Sequence, residues 1–184
     1  KISYPGGCDI GLRPIDLHLA GLKRLGVKIE EDKGYITCSC DKLSGADILL
    51  DFPSVGATEN IILASAKAEG TTVIRNAAKE PEIVDLQNFL NAMGGRVSGA
   101  GGCTVVVEGV ERLHGIEYTP IKDRIEAGTF LIAAASCGGE IEIEGVPQEN
   151  IAALLHKLRE NGCKIHIKND KITLRSSGRL VSAD

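Results

Sequence analysis

Apolar residues recur at helical spacing in several stretches. Ile83, Leu86, Phe89, Leu90 and Met93 form one such set, and Ile151, Leu154, Leu155 and Leu158 another. Each set predicts a helix with one apolar face. A proline opens each helix and a third like it, in Arg13-Pro14-Ile15-Asp16, Glu80-Pro81-Glu82-Ile83 and Val146-Pro147-Gln148-Glu149, at a position where a missing N–H costs nothing. A glycine closes each one, and these glycines, Gly26, Gly94 and Gly162, stand 68 residues apart. Glycine suits the left-handed residue that ends a helix. Alternating runs then follow, at 27–30 and 35–40 around Asp32-Lys33-Gly34, and at 164–167 and 171–174 around Asn169-Asp170. They read as paired strands.

A second type of helix lies between these. Ser54 is a natural cap for a helix over 55–69 that stops at Gly70, followed by a strand at 71–74. The matching later stretch is a helix at 124–136, then Gly138-Gly139, then a strand at 140–144. The unit is therefore strand, helix, strand, helix, strand, strand in 68 residues, and the chain holds about two and two-thirds units, the first without its opening elements. Gly115-Ile116-Glu117-Tyr118-Thr119-Pro120 interrupts the rhythm and is a candidate link between two domains near residue 121, although similar loops also join units within one domain.

Composition narrows the function. The chain has 184 residues, 43% hydrophobic and 25% charged, with a net charge of −4, as in a globular protein with a real core. Three Tyr, three Phe, no Trp and an acidic balance argue against nucleic-acid binding, which needs basic stripes and stacking rings. Runs such as Ile61-Ile62-Leu63-Ala64 are too short to span a membrane. The six cysteines have no CxxC spacing, so no metal site is expected. Cys38 and Cys40 alternate on one strand face and read as small buried hydrophobes. No leader pattern is present, and a reducing cytosol is the expected compartment. The start at Lys1, just before a glycine-rich loop, reads as a cut within a longer protein.

Three stretches carry candidate chemistry. In Tyr4-Pro5-Gly6-Gly7-Cys8-Asp9-Ile10-Gly11-Leu12-Arg13, glycines surround one thiol. Arg13 stands at a helix start, where free amides and the dipole favour an anion. A thiol at such a positive end suits a nucleophile or an acid, although the same residues describe a plain surface loop. Asp51-Phe52-Pro53-Ser54-Val55-Gly56-Ala57-Thr58 follows an apolar strand and opens a helix. It offers either a diphosphate cradle or an ordinary cap. Asp123, Arg124 and Glu126 crowd another helix start, where capping competes with function. His18, His114, His156 and His166 read individually as surface or partly buried histidines. Gly99-Ala100-Gly101-Gly102 lies between two strands and reads as a hairpin turn rather than a dinucleotide fingerprint.

Taken together, these stretches resemble the UDP-N-acetylglucosamine enolpyruvyl transferase (1-carboxyvinyltransferase) family. The residues that carry the resemblance are Pro5-Gly6-Gly7-Cys8-x-Ile10-Gly11-x-Arg13-Pro14-Ile15-Asp16-Leu17-His18, Ser54-Val55-Gly56-Ala57-Thr58, Asn76-Ala77-Ala78-Lys79-Glu80-Pro81-Glu82-Ile83-Val84-Asp85 and Asp123-Arg124-Ile125-Glu126-x-Gly128-Thr129. They run in order along the chain.

The resemblance implies a mixed α/β (α+β) fold of repeated βαβαββ units, the inside-out α/β barrel type, with helices inward and sheets outward. Residues 1–121 would belong to the first, catalytic-loop domain and 122–184 to the first unit of the second. It implies transfer of the enolpyruvyl group from phosphoenolpyruvate to the 3-hydroxyl of UDP-N-acetylglucosamine, in bacterial cytoplasm, at the first committed step of peptidoglycan synthesis. No organic cofactor and no metal are implied, and no nucleic-acid or membrane partner. Cys8 would be the general acid and the residue alkylated by fosfomycin. Arg13 would hold phosphate groups. Pro14, Ile15, Asp16 and Leu17 would line the uridine site, and Phe52, Pro53, Ser54 and Val55 would continue it around the diphosphate. His18, Asp123 and Arg124 are supporting candidates.

Two departures stand out: Phe52, where some relatives carry Lys, and Asp9, whose charge opposes thiolate formation beside it. The family's Lys-Asn pair, upstream arginine, downstream aspartate base and further arginines have no counterpart here, so the isolated chain is expected to be inactive. The alternatives are 5-enolpyruvylshikimate-3-phosphate synthase, which lacks such a cysteine loop, a non-catalytic nucleotide-sugar-binding module, and a purely structural domain.

Overall fold

The structure, a computed structural model, describes residues 1–3 and 14–182. It divides into two compact units, Lys1–Thr119 and Pro120–Asp184.

In chain order the first unit contains β1 (Ile2–Ser3), α1 (Asp16–Arg24), β2 (Lys28–Asp32), β3 (Tyr35–Ser39), β4 (Asp47–Leu49), α2 (Val55–Ser65), β5 (Thr71–Arg75), α3 (Pro81–Ala92), β6 (Arg96–Ser98) and β7 (Thr104–Glu108). The stretch from β4 to β7 is one complete strand-helix-strand-helix-strand-strand unit. Its sheet has the order β4-β5-β7-β6, with β4 parallel to β5 and the other pairs antiparallel. A smaller antiparallel sheet has the order β1-β3-β2.

The second unit contains α4 (Arg124–Cys137), β8 (Gly139–Glu144), a short 3-10 turn at Gln148–Ile151, α5 (Ala152–Glu160), β9 (Lys164–Lys168) and β10 (Lys171–Ser176). Its sheet order is β8-β10-β9. The orders β1-β3-β2, β5-β7-β6 and β8-β10-β9 are one arrangement occurring three times, which is the repeat that the glycine spacing predicts.

The three glycines end their helices identically. Gly26, Gly94 and Gly162 have φ of 98°, 91° and 91°. Each donates to the carbonyl three residues back, Lys23, Asn91 and Arg159, and the next residue donates to Leu22, Leu90 and Leu158. This is the Schellman arrangement, and its left-handed residue favours glycine.

The helices of the first unit cover one face of the four-stranded sheet. Ile48, Leu50, Ile74, Val105 and Val107 from the sheet meet Ala57, Ile61 and Ile62 of α2 and Ile83 and Leu90 of α3. Full burial of side chains this size stabilises by roughly 1.5–3 kcal/mol each. α2 lies between α1 and α3. Its buried residues are Ala57, Thr58, Ile61, Ile62 and Ser65, and the two hydroxyls donate to the Ser54 and Ile61 carbonyls of the preceding turn. In the second unit Ala127, Leu131 and Ala135 of α4 and Leu155 and Leu158 of α5 pack on Ile172 and Leu174. The other face of that sheet is charged. Lys171 pairs with Glu142 and Glu144, and Arg175 with Glu140.

Three expectations need correction. α2 ends at Ser65 rather than continuing to residue 69. The Glu69 amide donates to Leu43 and its carbonyl accepts from Gly45, so Glu69 is committed to a strand-like bridge with Ser44 and cannot stay helical. Cys38 and Cys40 are exposed. Only Ile36 is buried on β3, and the Cys40 thiol, past the strand end, donates to the Lys42 carbonyl at 3.0 Å. Finally, Pro14 and Pro147 do not occupy the first helical position as Pro81 does. The α1 cap is Ile15, and Pro147 opens the 3-10 turn that leads into α5.

Candidate functional site

Cys8 and Arg13 lie outside the described residues. Most of the other candidates gather where three chain segments meet in the first unit: the start of α1, the β4–α2 turn and the β5–α3 turn.

The β4–α2 turn carries Asp51, Phe52 and Pro53 on the surface, with Phe52 64% exposed. Ser54 has extended backbone, and its hydroxyl accepts from the Ala57 amide at 3.3 Å. Ser54 is therefore a true cap. The Val55 and Gly56 amides remain as first-turn donors without an intrahelical acceptor, which is the condition for anion binding at a helix start. Val55 packs against the core, as does Leu17 of α1.

The β5–α3 turn is tied to α2. Thr58 Oγ1 donates to the Ser54 carbonyl at 2.8 Å and accepts from the Ala78 amide at 3.1 Å. Asn76 adopts a left-handed conformation, with φ of 55°, and its amide donates to the Leu50 carbonyl at 2.9 Å. These bonds join the ends of β4 and β5, the carboxyl end of the parallel pair.

α1 supplies the third side. Pro14, Ile15 and Asp16 line a depression of about 380 Å³ with Leu19, Ala20, Lys23 and Glu31. His18 is half-buried and turns to α2. Its Nδ1 lies 2.6 Å from Asn60 Nδ2. A Cβ on Gly56 would lie 3.1 Å from His18 Cε1 and 3.5 Å from Nε2. Burial pushes the Glu59 carboxyl up; Glu82 adds to the rise and His18 opposes it. Gly56, Glu59 and Asn60 around His18, with Glu82 acting on Glu59, form a polar seam that single-residue reading of the sequence misses. The residues belong to helices distant in sequence, so only their packing reveals it.

Asp123 and Arg124 belong to the second unit. Asp123 caps α4, accepting from the Ile125 amide at 2.7 Å and the Glu126 amide at 3.0 Å. None of the candidate residues lines the larger depressions of that unit, of about 460 and 440 Å³. Among the described residues no cluster of three His, Cys, Asp or Glu side chains is placed to hold a metal ion. No helix there is long and apolar enough to cross a membrane.

A family model described as EPSP synthase (3-phosphoshikimate 1-carboxyvinyltransferase) matches residues 1–182. The chain belongs to the EPSP synthase family. That makes it a member of a carboxyvinyl (enolpyruvyl) transferase family.

Among curated members, the chain is 58% identical over 183 residues to UDP-N-acetylglucosamine 1-carboxyvinyltransferase 2 of Caldanaerobacter subterraneus subsp. tengcongensis, covering 100% of this chain and 44% of that protein. It is 50% identical over 184 residues to UDP-N-acetylglucosamine 1-carboxyvinyltransferase 1 of Staphylococcus aureus, with the same coverage. The chain thus spans less than half the length of these EPSP synthase family relatives.

Two solved structures show the fold. The enolpyruvyl transferase NikO from Streptomyces tendae superposes with a TM-score of 0.77 at 24% identity, over 89% of this chain and 42% of that one. EPSP synthase from Acinetobacter baumannii does so with a TM-score of 0.64 at 22% identity, over 90% and 40%.

Proposed function

We propose that this chain is part of an enzyme that transfers the enolpyruvyl group of phosphoenolpyruvate to the 3-hydroxyl of UDP-N-acetylglucosamine and releases phosphate. The observation that carries this reading is the 50–58% identity, along the whole chain, to proteins bearing that name. The Pro5-Gly6-Gly7-Cys8 loop motif and the anion-ready start of α2 support it.

In this reading the sugar hydroxyl gives its proton to a general base as its oxygen bonds to C2 of phosphoenolpyruvate, while the methylene carbon gains a proton, giving a tetrahedral ketal. Loss of phosphate and of a methyl proton restores the vinyl group on the sugar. Cys8 supplies the first proton as general acid. Arg13 holds the phosphate of phosphoenolpyruvate and part of the sugar diphosphate, as a planar guanidinium suits. Pro14, Ile15, Asp16 and Leu17 form the uridine side. Phe52, Pro53, Ser54 and Val55 carry the diphosphate side, where the Val55 and Gly56 amides supply donors. Asp123 acts by capping α4.

Residues 1–121 form part of a first, catalytic-loop domain, and 122–184 begin a second one. In this reading turnover needs groups brought together across a closed two-domain cleft. The reaction belongs to bacterial cell-wall synthesis in the cytoplasm.

Incubating the full-length protein with both substrates and weighing the nucleotide sugar by mass spectrometry tests the reading. The expected product is the enolpyruvyl ether. An unchanged nucleotide sugar would overturn it.

A further inference from the structure

We propose that Asn60 is a positioning residue that fixes the ring proton of His18 on Nε2, so that this N–H becomes an added donor at the diphosphate end of α2. The proposal rests on the reading of that helix start as the diphosphate side of the nucleotide-sugar site.

Three observations carry it. First, the Asn60 amide nitrogen donates to His18 Nδ1 across 2.6 Å. A ring nitrogen that accepts has no proton, so in the neutral ring the proton sits on Nε2. Second, the Cε1–Nε2 edge faces Gly56, with Nε2 3.5 Å from where a Cβ would stand. Gly56 is the second residue of α2, so Nε2–H lies beside its first-turn amides. Third, the approach needs a glycine: a Cβ at 3.1 Å from Cε1 is tighter than an ordinary van der Waals contact, and the ring would have to move. Asn60 is exposed and stands one helical turn after Gly56 on the same face of α2, and His18 meets both.

The groups around the ring fit a donor role. Among the described residues, Glu59 interacts with both His18 and Glu82 in this seam. The amide nitrogen at Nδ1 is the hydrogen-bond partner that selects the tautomer. Histidine at such a position distinguishes two arrangements that the fold alone does not. With the proton on Nε2 it adds a donor to Val55 and Gly56. With the proton on Nδ1 it presents a lone pair to an anion and repels it.

The test uses the full-length protein labelled with nitrogen-15 in histidine. Wild type is expected to show a bare Nδ1 and a protonated Nε2 for His18, and inorganic pyrophosphate is expected to shift the Nε2 signal. Asn60→Asp, whose carboxylate accepts from Nδ1–H, is expected to exchange the two nitrogens. It should raise KM for UDP-N-acetylglucosamine roughly tenfold, the loss of about one charge-assisted hydrogen bond, with less than a twofold change in KM for phosphoenolpyruvate. Asn60→Leu, which removes the donor without adding charge, should raise the same KM by a few-fold.

A protonated Nδ1 in wild type would overturn the assignment. Exchanged nitrogens with an unchanged KM for the nucleotide sugar would overturn the positioning role. Absence of turnover with the nucleotide sugar in wild type would instead contradict the proposed function. In that case the ring spectrum and its response to pyrophosphate still decide the His18 geometry.

Discussion

The Thr58 hydroxyl accepts a hydrogen bond from the backbone amide of Ala78 at 3.1 Å, in a place where both residues are fully buried. This one bond pins the β5–α3 turn to α2. Its loss strands an amide away from water. Thr58→Val is therefore expected to destabilise by about 1–3 kcal/mol, seen as a lower midpoint in thermal unfolding. An unchanged midpoint would show that the Asn76 bond to Leu50 and the Ala77 bond to Cys103 suffice to hold the turn.

Thr72 is the contrasting case. It is also fully buried, but its hydroxyl has no partner. An unmade hydrogen bond in the core is a cost that a methyl group of the same size removes. Thr72→Val is expected to leave the protein as stable or more stable, by up to about 1 kcal/mol. Thr58→Val should thus lower the midpoint while Thr72→Val does not. A fall with Thr72→Val would reveal a partner for that hydroxyl.

Glu59 gives a pH dependence with a definite sign. Its native pKa lies above the ordinary 4.5, because of burial first and of Glu82 second. The native state then holds the proton longer than the unfolded chain does. Stability contributed by this group falls as pH rises from about 4.5 through the native value. Glu59→Gln is expected to raise the denaturation midpoint at neutral pH, with the gain vanishing below pH 4.5, where both states are protonated. A gain that persisted into acid would assign the effect to something other than ionisation.

Asp123 separates capping from chemistry. Asp123→Asn keeps an oxygen for the Ile125 and Glu126 amides and should unfold near the wild-type midpoint. Asp123→Ala should lose about 0.5–2 kcal/mol. If Asp123→Asn instead retains stability and loses turnover, its charge acts in the reaction, and capping is only part of its role.

Much of the fold was legible because the repeat is written in small punctuation residues. Pro81 and the three helix-ending glycines mark element ends by backbone geometry, which sequence reveals directly. The end of α2 was not legible: nothing local at Ala66 or Lys67 stops a helix, and the tertiary bridge between Glu69 and Ser44 does. The exposure of Cys38 was hidden for a similar reason. Alternation identified the face it shares with Ile36 but not how far the cover over that face extends. In the site, the Ser54 cap and the helix starts were readable from residue type. The His18–Asn60 pairing was not, since it depends on how α1 and α2 pack across 42 residues of sequence.

One experiment reads both the identity of the acceptor and the role of Cys8. The most direct measurement is phosphate release from phosphoenolpyruvate by the full-length protein, with UDP-N-acetylglucosamine in one reaction and shikimate 3-phosphate in another, each repeated with Cys8→Ala. Release only with the nucleotide sugar, abolished in the variant, is the predicted result. Release with the shikimate ester alone, or undiminished release by Cys8→Ala, would contradict it.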